Sequence, residues 1–323
     1  MKTESIQAEK SYLAERLEQR GIDRRDFLKF CGLMAATLAL PGNGVVRIAR
    51  ALAASPRPPV VWLEFQDCTG DTESFLRASQ PTVDEFLLDR ISLDYHETLM
   101  TPAGLGTELS LSDVLRSHSG QYIAIVEGSI PMADGVVYCT IRGRTALSIL
   151  QEVAGGALAV IAAGSCAFDG GLAAAAPNPT GAVGVGGAVP GLNNLINLPG
   201  CPANVVNIAA VLVHFLTYGT LPQTDSMRRP TFAYSREIHD NCERKRFNEN
   251  DQYVRAWGDE GHRKGWCLEK MGCRGPETRS NCYDVKWNDG TSWPIGAGHN
   301  CVGCTNSHFW DRMTPFYAEE NDD

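Results

Sequence analysis

Val60-Val61-Trp62-Leu63-Glu64-Phe65-Gln66-Asp67-Cys68-Thr69-Gly70-Asp71-Thr72-Glu73-Ser74 joins a continuous apolar run to a cysteine in a turn rich in glycine and acid. An apolar run leading into a glycine-containing turn recurs three times, twice with a cysteine. Tyr122-Ile123-Ala124-Ile125-Val126 precedes Glu127-Gly128-Ser129-Ile130-Pro131, Leu158-Ala159-Val160-Ile161 precedes Gly164-Ser165-Cys166-Ala167, and Leu195-Ile196-Asn197-Leu198 precedes Pro199-Gly200-Cys201-Pro202. Short β-branched runs separated by helical stretches predict an α/β fold, a parallel sheet covered on both faces. Asn204 to Tyr218 reads as the last helix of that domain. Loops at the carboxyl ends of parallel strands converge on one region. Cys68, Asp71, Cys166 and Cys201 are therefore expected at the same end of the sheet. Any one of these cysteines reads as a small buried hydrophobe, but their shared position after strands speaks for ligation. Thiolates are the usual ligands of iron–sulfur clusters, and neighbouring glycines let the backbone come close to the sulfides.

Beyond about Leu221 the sequence becomes charged, aromatic and rich in Gly and Pro, with little periodicity, yet it holds six of the eleven cysteines. Such a segment is not expected to rely on an apolar core, and metal binding can replace core burial as a source of folding free energy. His239-Asp240-Asn241-Cys242 with Cys267 and Cys273 offers one imidazole and three thiolates, a set that suits a cluster or a structural zinc. Cys282 with Cys301 and Cys304 offers three thiolates including one CxxC, which by itself fits zinc or redox chemistry.

The N-terminal 54 residues read differently. Met1 to Ile22 is a polar lead-in with no core of its own. Arg24-Arg25-Asp26-Phe27-Leu28-Lys29, the apolar run Phe30 to Leu40, and Ala51-Leu52-Ala53-Ala54 have the layout of a twin-arginine export signal. An active signal implies a periplasmic or membrane-associated protein; a retained remnant implies a cytoplasmic one. The apolar run is too short to span a bilayer, and no later run of 18 or more apolar residues predicts an anchor.

The 323 residues, 43% hydrophobic and 21% charged, suffice for a full core and two domains. A net charge of −9 argues against nucleic acid as a partner, since phosphate neutralisation needs a basic face. Eleven cysteines spread over this length do not resemble a small disulfide scaffold. Gly184-Val185-Gly186-Gly187 lacks the further spacing of a phosphate-binding fingerprint and reads as a close-packing loop. Asp94-Tyr95-His96 reads as a packed strand end.

Trp62 to Phe75, Glu127-Gly128, Gly164-Ser165-Cys166-Ala167, Pro177-Asn178-Pro179-Thr180 and Asn197-Leu198-Pro199-Gly200-Cys201-Pro202 occur in an order that resembles the small subunit of nickel-iron hydrogenases. The likeness extends from the export-like segment to about Trp310. It implies a flavodoxin-like domain over residues 55–221, with a proximal 4Fe-4S cluster on Cys68, Cys166, Cys201 and the residue at position 71. A small, irregular iron–sulfur domain over 222–323 would hold a distal 4Fe-4S cluster on His239, Cys242, Cys267 and Cys273. The same domain would hold a medial 3Fe-4S cluster on Cys282, Cys301 and Cys304, with Pro294 near the place of a fourth cysteine. Position 71 departs from the pattern, because the family has cysteine where this chain has Asp71. Asp71 either ligates iron through a carboxylate or caps a helix starting near Thr72. Members with a six-cysteine proximal cluster have a cysteine at the position of Gly70, which is absent here.

The resemblance further implies an obligate heterodimer with a large subunit that carries the nickel-iron centre, open to further dimerisation. This chain would relay electrons from hydrogen oxidation to an external acceptor. Glu73 and Glu127 are candidates for proton relay, or else are capping and surface carboxylates. Cys139 is expected as a buried thiol near the proximal site, and Cys31 falls in the export-like segment. Two other readings use similar parts: a non-catalytic hydrogen sensor, and the cluster subunit of a respiratory quinone reductase. The latter has no use for the six cysteines after Leu221.

Overall fold

The computed structural model describes residues 24–54, 57–78, 91–288 and 290–318. The polar lead-in up to Ile22 lies outside them. Two helices open the described chain, α1 (Arg24–Thr37) and α2 (Gly44–Ala54), followed by β1 (Pro59–Glu64), α3 (Gly70–Leu76), β2 (Ser92–His96) and α4 (Leu105–Ser117). Then come β3 (Ile123–Glu127), α5 (Ala146–Gly156), β4 (Ala159–Ala163), α6 (Gly164–Asp169), β5 (Leu195–Leu198) and α7 (Val205–Tyr218). The five strands form one parallel sheet in the order β2-β1-β3-β4-β5. The chain reverses direction across the sheet between β1 and β3, the switch point where doubly wound sheets place their ligands.

The sheet is apolar on both faces because both are covered. Val61, Leu63, Ala124, Val126, Val160 and Ala162 pack against α4 and α5, whereas Trp62, Ile123, Ile125, Ile161 and Ile196 pack against α7 and the N-terminal helices. Four of the strands are the runs expected from their β-branched content. The remaining one, β2, ends at Asp94-Tyr95-His96, as the strand-end reading has it. The Gly184 motif packs closely, since a Cβ on Gly184 would lie 2.1 Å from the Phe168 carbonyl oxygen, but Val185–Ala188 is a short helical turn rather than a loop.

α7 starts at Asn204, whose side chain accepts from Val206 N–H at 2.9 Å, and stops at Gly219 in the left-handed region. Its sequence, VVNIAAVLVHFLTY, is apolar around most of its circumference, so one covered face is not enough. The sheet takes one side. α1 and α2 take the other, burying Phe27, Phe30, Cys31, Met34, Ile48 and Leu52 at no more than 5% exposure. At roughly 1.5–3 kcal/mol for each fully buried large apolar side chain, this helix pair contributes on the order of 10 kcal/mol as an upper estimate. The export-like segment is thus part of the same apolar cluster as the sheet. A chain starting at Arg57 is expected to bind an apolar dye on α7 and to unfold at a lower temperature than one carrying α1 and α2. Equal dye binding and equal melting of the two would show that the pair covers nothing the fold needs.

The C-terminal region does have an apolar core, contrary to the expectation from its composition. Ile238, Val254, Leu268, Met271, Trp293 and Ile295 form a small buried cluster, and Cys242, Cys273, Cys282 and Cys301 pack against it. Six scattered side chains without helical or strand period leave no pattern in sequence. This region is pinned to the sheet domain by reciprocal Asn207–Asn281 amide bonds of 3.0 and 2.9 Å. Tyr234 Oη also donates to the Pro199 carbonyl at 2.8 Å, and Ser165 Oγ to the Cys304 carbonyl at 2.6 Å.

Candidate metal centres

Strand register explains why the first set of ligands meets. Glu64 pairs with Glu127, Glu127 with Ala163 and Ala163 with Leu198, so four strands end on one line and their loops leave the sheet together. Cys68, Cys166 and Cys201 ride on these loops. The turn into α3 is held from below by Glu127, which is fully buried and accepts from Asp71 N–H at 2.8 Å, Thr72 N–H at 3.0 Å, Thr72 Oγ1 at 2.6 Å and Trp62 Nε1 at 3.1 Å. Glu127 thereby satisfies two of the free amides at the start of α3. Glu73 lies on the exposed side of α3 and pairs with Arg77 at 2.5 Å.

Asp71 does not cap the helix. α3 begins one residue before it, and its Oδ1 instead accepts from Ala203 N–H at 2.5 Å, beside the Cys201 loop. Its carboxylate faces Gly164, where any Cβ would sit 2.1 Å from Oδ2. Only glycine fits there, at a φ of 81° that also suits it. Burial first, and then the charge of Glu127, push the Asp71 carboxyl up to about 8. Burial and the neighbouring Asp71 and Cys68 charges push Cys201 up to about 11. Burial, then Cys201, push Cys166 up to about 12. These four side chains feel one another's charge, and among the described residues no cation pairs with Asp71. An iron core bound among them would supply the positive charge that a buried carboxylate and three thiolates require, so the residues fit a cluster. Asp67, next to Cys68, was not singled out from sequence. Its Oδ1 accepts from Thr69 N–H at 2.8 Å, Oδ2 is buried without a partner, and burial raises the carboxyl to about 6.

Cys282, Cys301 and Cys304 line a cavity of about 560 Å³ together with Pro294, Trp293, Ile295, Trp310 and Cys201. The space is walled by apolar and aromatic groups, Pro294 among them, and edged by the three predicted thiols. It fits a cluster held by three cysteines. Burial raises all three thiols. Local donors already favour their ionised forms: Ser280 Oγ lies 3.0 Å from Cys282 Sγ and Gly303 N–H lies 3.4 Å from Cys301 Sγ.

Cys242, Cys267 and Cys273 form a third group in which each thiol is raised by burial, Cys242 lies in the field of Cys267, and Cys273 lies in the fields of both. Arg244 N–H donates to Cys242 Sγ at 3.4 Å. His239 opens a short helical turn that leads into Cys242 and is partly exposed. Among the described residues no three His, Cys, Asp or Glu side chains converge on a point that one ion could occupy. Cluster ligands bind different irons and stand apart.

The three groups adjoin one another. Cys201 lines the same cavity as Cys282, Cys301 and Cys304, and Cys301 and Cys273 pack against one apolar cluster.

The family model for the C-terminal region of the NiFe/NiFeSe hydrogenase small subunit matches residues 234–317, and that for the NADH ubiquinone oxidoreductase 20 Kd subunit matches residues 68–215. The periplasmic NiFe hydrogenase small subunit 1 of Nitratidesulfovibrio vulgaris is 46% identical over 94% of this chain and 95% of its own length. The hydrogenase-2 small chain of Escherichia coli K12 is 45% identical over 89% of this chain and 77% of its own. The chain belongs to the small subunits of nickel-iron hydrogenases. A reduced, active NiFeSe hydrogenase from Desulfomicrobium baculatum matches the fold with a TM-score of 0.77 at 30% identity, over 82% of this chain and 100% of that one. As a small subunit of this family, the chain carries iron–sulfur clusters and pairs with a large subunit.

Two other positions of this hydrogenase subunit complete the account. Cys139 is half-buried rather than buried, and burial followed by the charges of Glu97 and Asp67 pushes its thiol up to about 11. His96, fully buried, lies 3.2 Å from Thr72 Oγ1 and 3.4 Å from Glu64. Burial would raise the Glu64 carboxyl, but His96 and Thr98 outweigh it and hold it below its usual range. Among the described residues no helix is long and apolar enough to cross a membrane.

Proposed function

We propose that this small subunit holds three clusters in a row: a proximal 4Fe-4S cluster on Cys68, Asp71, Cys166 and Cys201, a medial 3Fe-4S cluster on Cys282, Cys301 and Cys304, and a distal 4Fe-4S cluster on His239, Cys242, Cys267 and Cys273. The observation that supports this reading is that Cys201 lines the same cavity as Cys282, Cys301 and Cys304, while Cys301 and Cys273 pack against one apolar cluster. When bound, such clusters carry single electrons between the nickel-iron centre of the large subunit and an external acceptor.

The chain's own residues set the conditions. Glu127 fixes the loop bearing Cys68 and Asp71, the amides of Gly303 and Arg244 and the Ser280 hydroxyl stabilise thiolates, and half-exposed His239 leads toward the acceptor. Asp67, its carboxyl raised by burial to about 6, lies beside Cys68 with one oxygen buried and unpartnered. The proximal group belongs to residues 55–221 and the other two to 222–323. Cleavage within residues 24–54, and with it a periplasmic location, would require another apolar surface to cover α7.

The large subunit is proposed to cover the strand ends, where Cys68 and Cys201 are exposed. Leu172, Val137, Tyr138 and Met132 project from loops at that end at 37–58% exposure, a rim of the kind obligate interfaces bury. Leu172→Asp is expected to weaken recovery of the large subunit on co-purification by at least tenfold. Undiminished recovery would move the interface elsewhere. The cluster assignment is tested by iron and sulfide analysis with electron paramagnetic resonance of the native complex. About eleven irons on this chain and a 3Fe-type signal when oxidised are expected; zinc, or only about four irons, would overturn the reading.

A further inference from the structure

The middle and first ligand sets lie on different parts of the chain, and one buried hydroxyl holds their loops together. Ser165 precedes Cys166 at the start of α6 and is 2% exposed. Its backbone N–H donates to the Gly200 carbonyl at 2.8 Å, and its Oγ accepts from Gly200 N–H at 3.0 Å. The same oxygen donates to the Cys304 carbonyl at 2.6 Å. A single side chain thus ties the loop of Cys166 to that of Cys201 and both to the end of the CxxC pair, across 139 residues of sequence. In the assignment above these three segments carry ligands of two neighbouring clusters, and Cys201 and Cys304 line one cavity beside this clamp.

From this geometry we propose that Ser165 is a positioning residue that sets the separation and orientation of the first and middle clusters, and hence the electron step between them. The inference rests on the cluster assignment above. Ser165 binds no iron in it and acts only through the loops it joins. The clamp is well made for this purpose: a hydroxyl that accepts from one backbone group and donates to another fixes both distance and angle. It is also buried, where no water replaces a lost bond.

The test uses Ser165→Ala and Ser165→Thr in the complex purified with its large subunit. Electron paramagnetic resonance reads the signal of each cluster, the magnetic coupling between first and middle clusters, and, after rapid freezing, the reduction of the middle cluster by hydrogen. The expected result for Ser165→Ala is that both clusters are present, their coupling is altered, and reduction of the middle cluster is slower by several-fold. Ser165→Thr, which keeps the hydroxyl, restores both. Unaltered coupling and an unaltered time course in the alanine variant would overturn the proposal. If the alanine variant loses its clusters, rescue by threonine supports the role of the hydroxyl, and equal loss in both variants rejects it. A wild-type complex without two interacting signals would instead sink the cluster assignment itself.

Discussion

Asp71→Cys is expected to change the spectrum and midpoint potential of the proximal cluster while leaving the signals of the other two as they are. A carboxylate oxygen is a harder ligand than a thiolate, so exchanging them alters the electron density at one iron and not at its neighbours. The structure gives the carboxylate a reason to seek iron. It is buried, lies in the field of Glu127, and finds no cation among the described residues. The same facts set a pH dependence for the cluster-free chain. The Asp71 carboxyl rises from an ordinary value of 3.8 to about 8 on folding, so folding favours its protonated form. Its stabilising contribution is complete below the unfolded value and is lost as pH rises from about 4 through about 8. Cluster-free Asp71→Asn, with no charge to bury, should lack this part of the slope in a denaturant titration repeated across that range. A proximal signal that does not respond to Asp71→Cys would show that another group completes the site.

Glu127→Ala should be the most damaging single change outside the ligands. Its carboxylate accepts from three N–H groups and one hydroxyl, and it is fully buried. Truncation leaves Asp71 N–H, Thr72 N–H and Trp62 Nε1 without their acceptor, at about 1–3 kcal/mol for each buried unsatisfied donor. A loss on the order of 3–6 kcal/mol is a large part of the stability of an ordinary domain. The loop bearing Cys68 would also be released, so chemical denaturation of Glu127→Ala should show a lowered midpoint and iron analysis a reduced proximal content. A variant with unchanged midpoint and full iron would mean that Glu127 is not the anchor of α3.

Much of this could be read in the sequence because the carrying features are local. Val60–Leu63, Tyr122–Val126, Leu158–Ile161 and Leu195–Leu198 announce strands by their own side chains, and each cysteine follows its strand within a few residues. The contributions of Glu127, Ser165 and Asp67 were harder to see. Glu127 meets its partners 55–65 residues away and Ser165 meets Cys304 at 139, so nothing beside them in sequence reveals the bond. The apolar core of the C-terminal region was hidden for a similar reason, since Ile238, Val254, Leu268 and Ile295 share no period. Residues 24–54 show the opposite difficulty. An amphipathic apolar segment looks alike whether it is an address or a core element, and only the all-round apolarity of α7 shows that a cover is called for.

Two of the hydrogen bonds to ligand sulfurs come from main-chain amides, Gly303 N–H to Cys301 Sγ and Arg244 N–H to Cys242 Sγ, each at 3.4 Å. A positive dipole end stabilises added negative charge, and hydrogen bonds to cluster sulfurs raise reduction potential. Part of the tuning of the proposed middle and last clusters is therefore written into main-chain polarity, which side-chain substitution leaves in place.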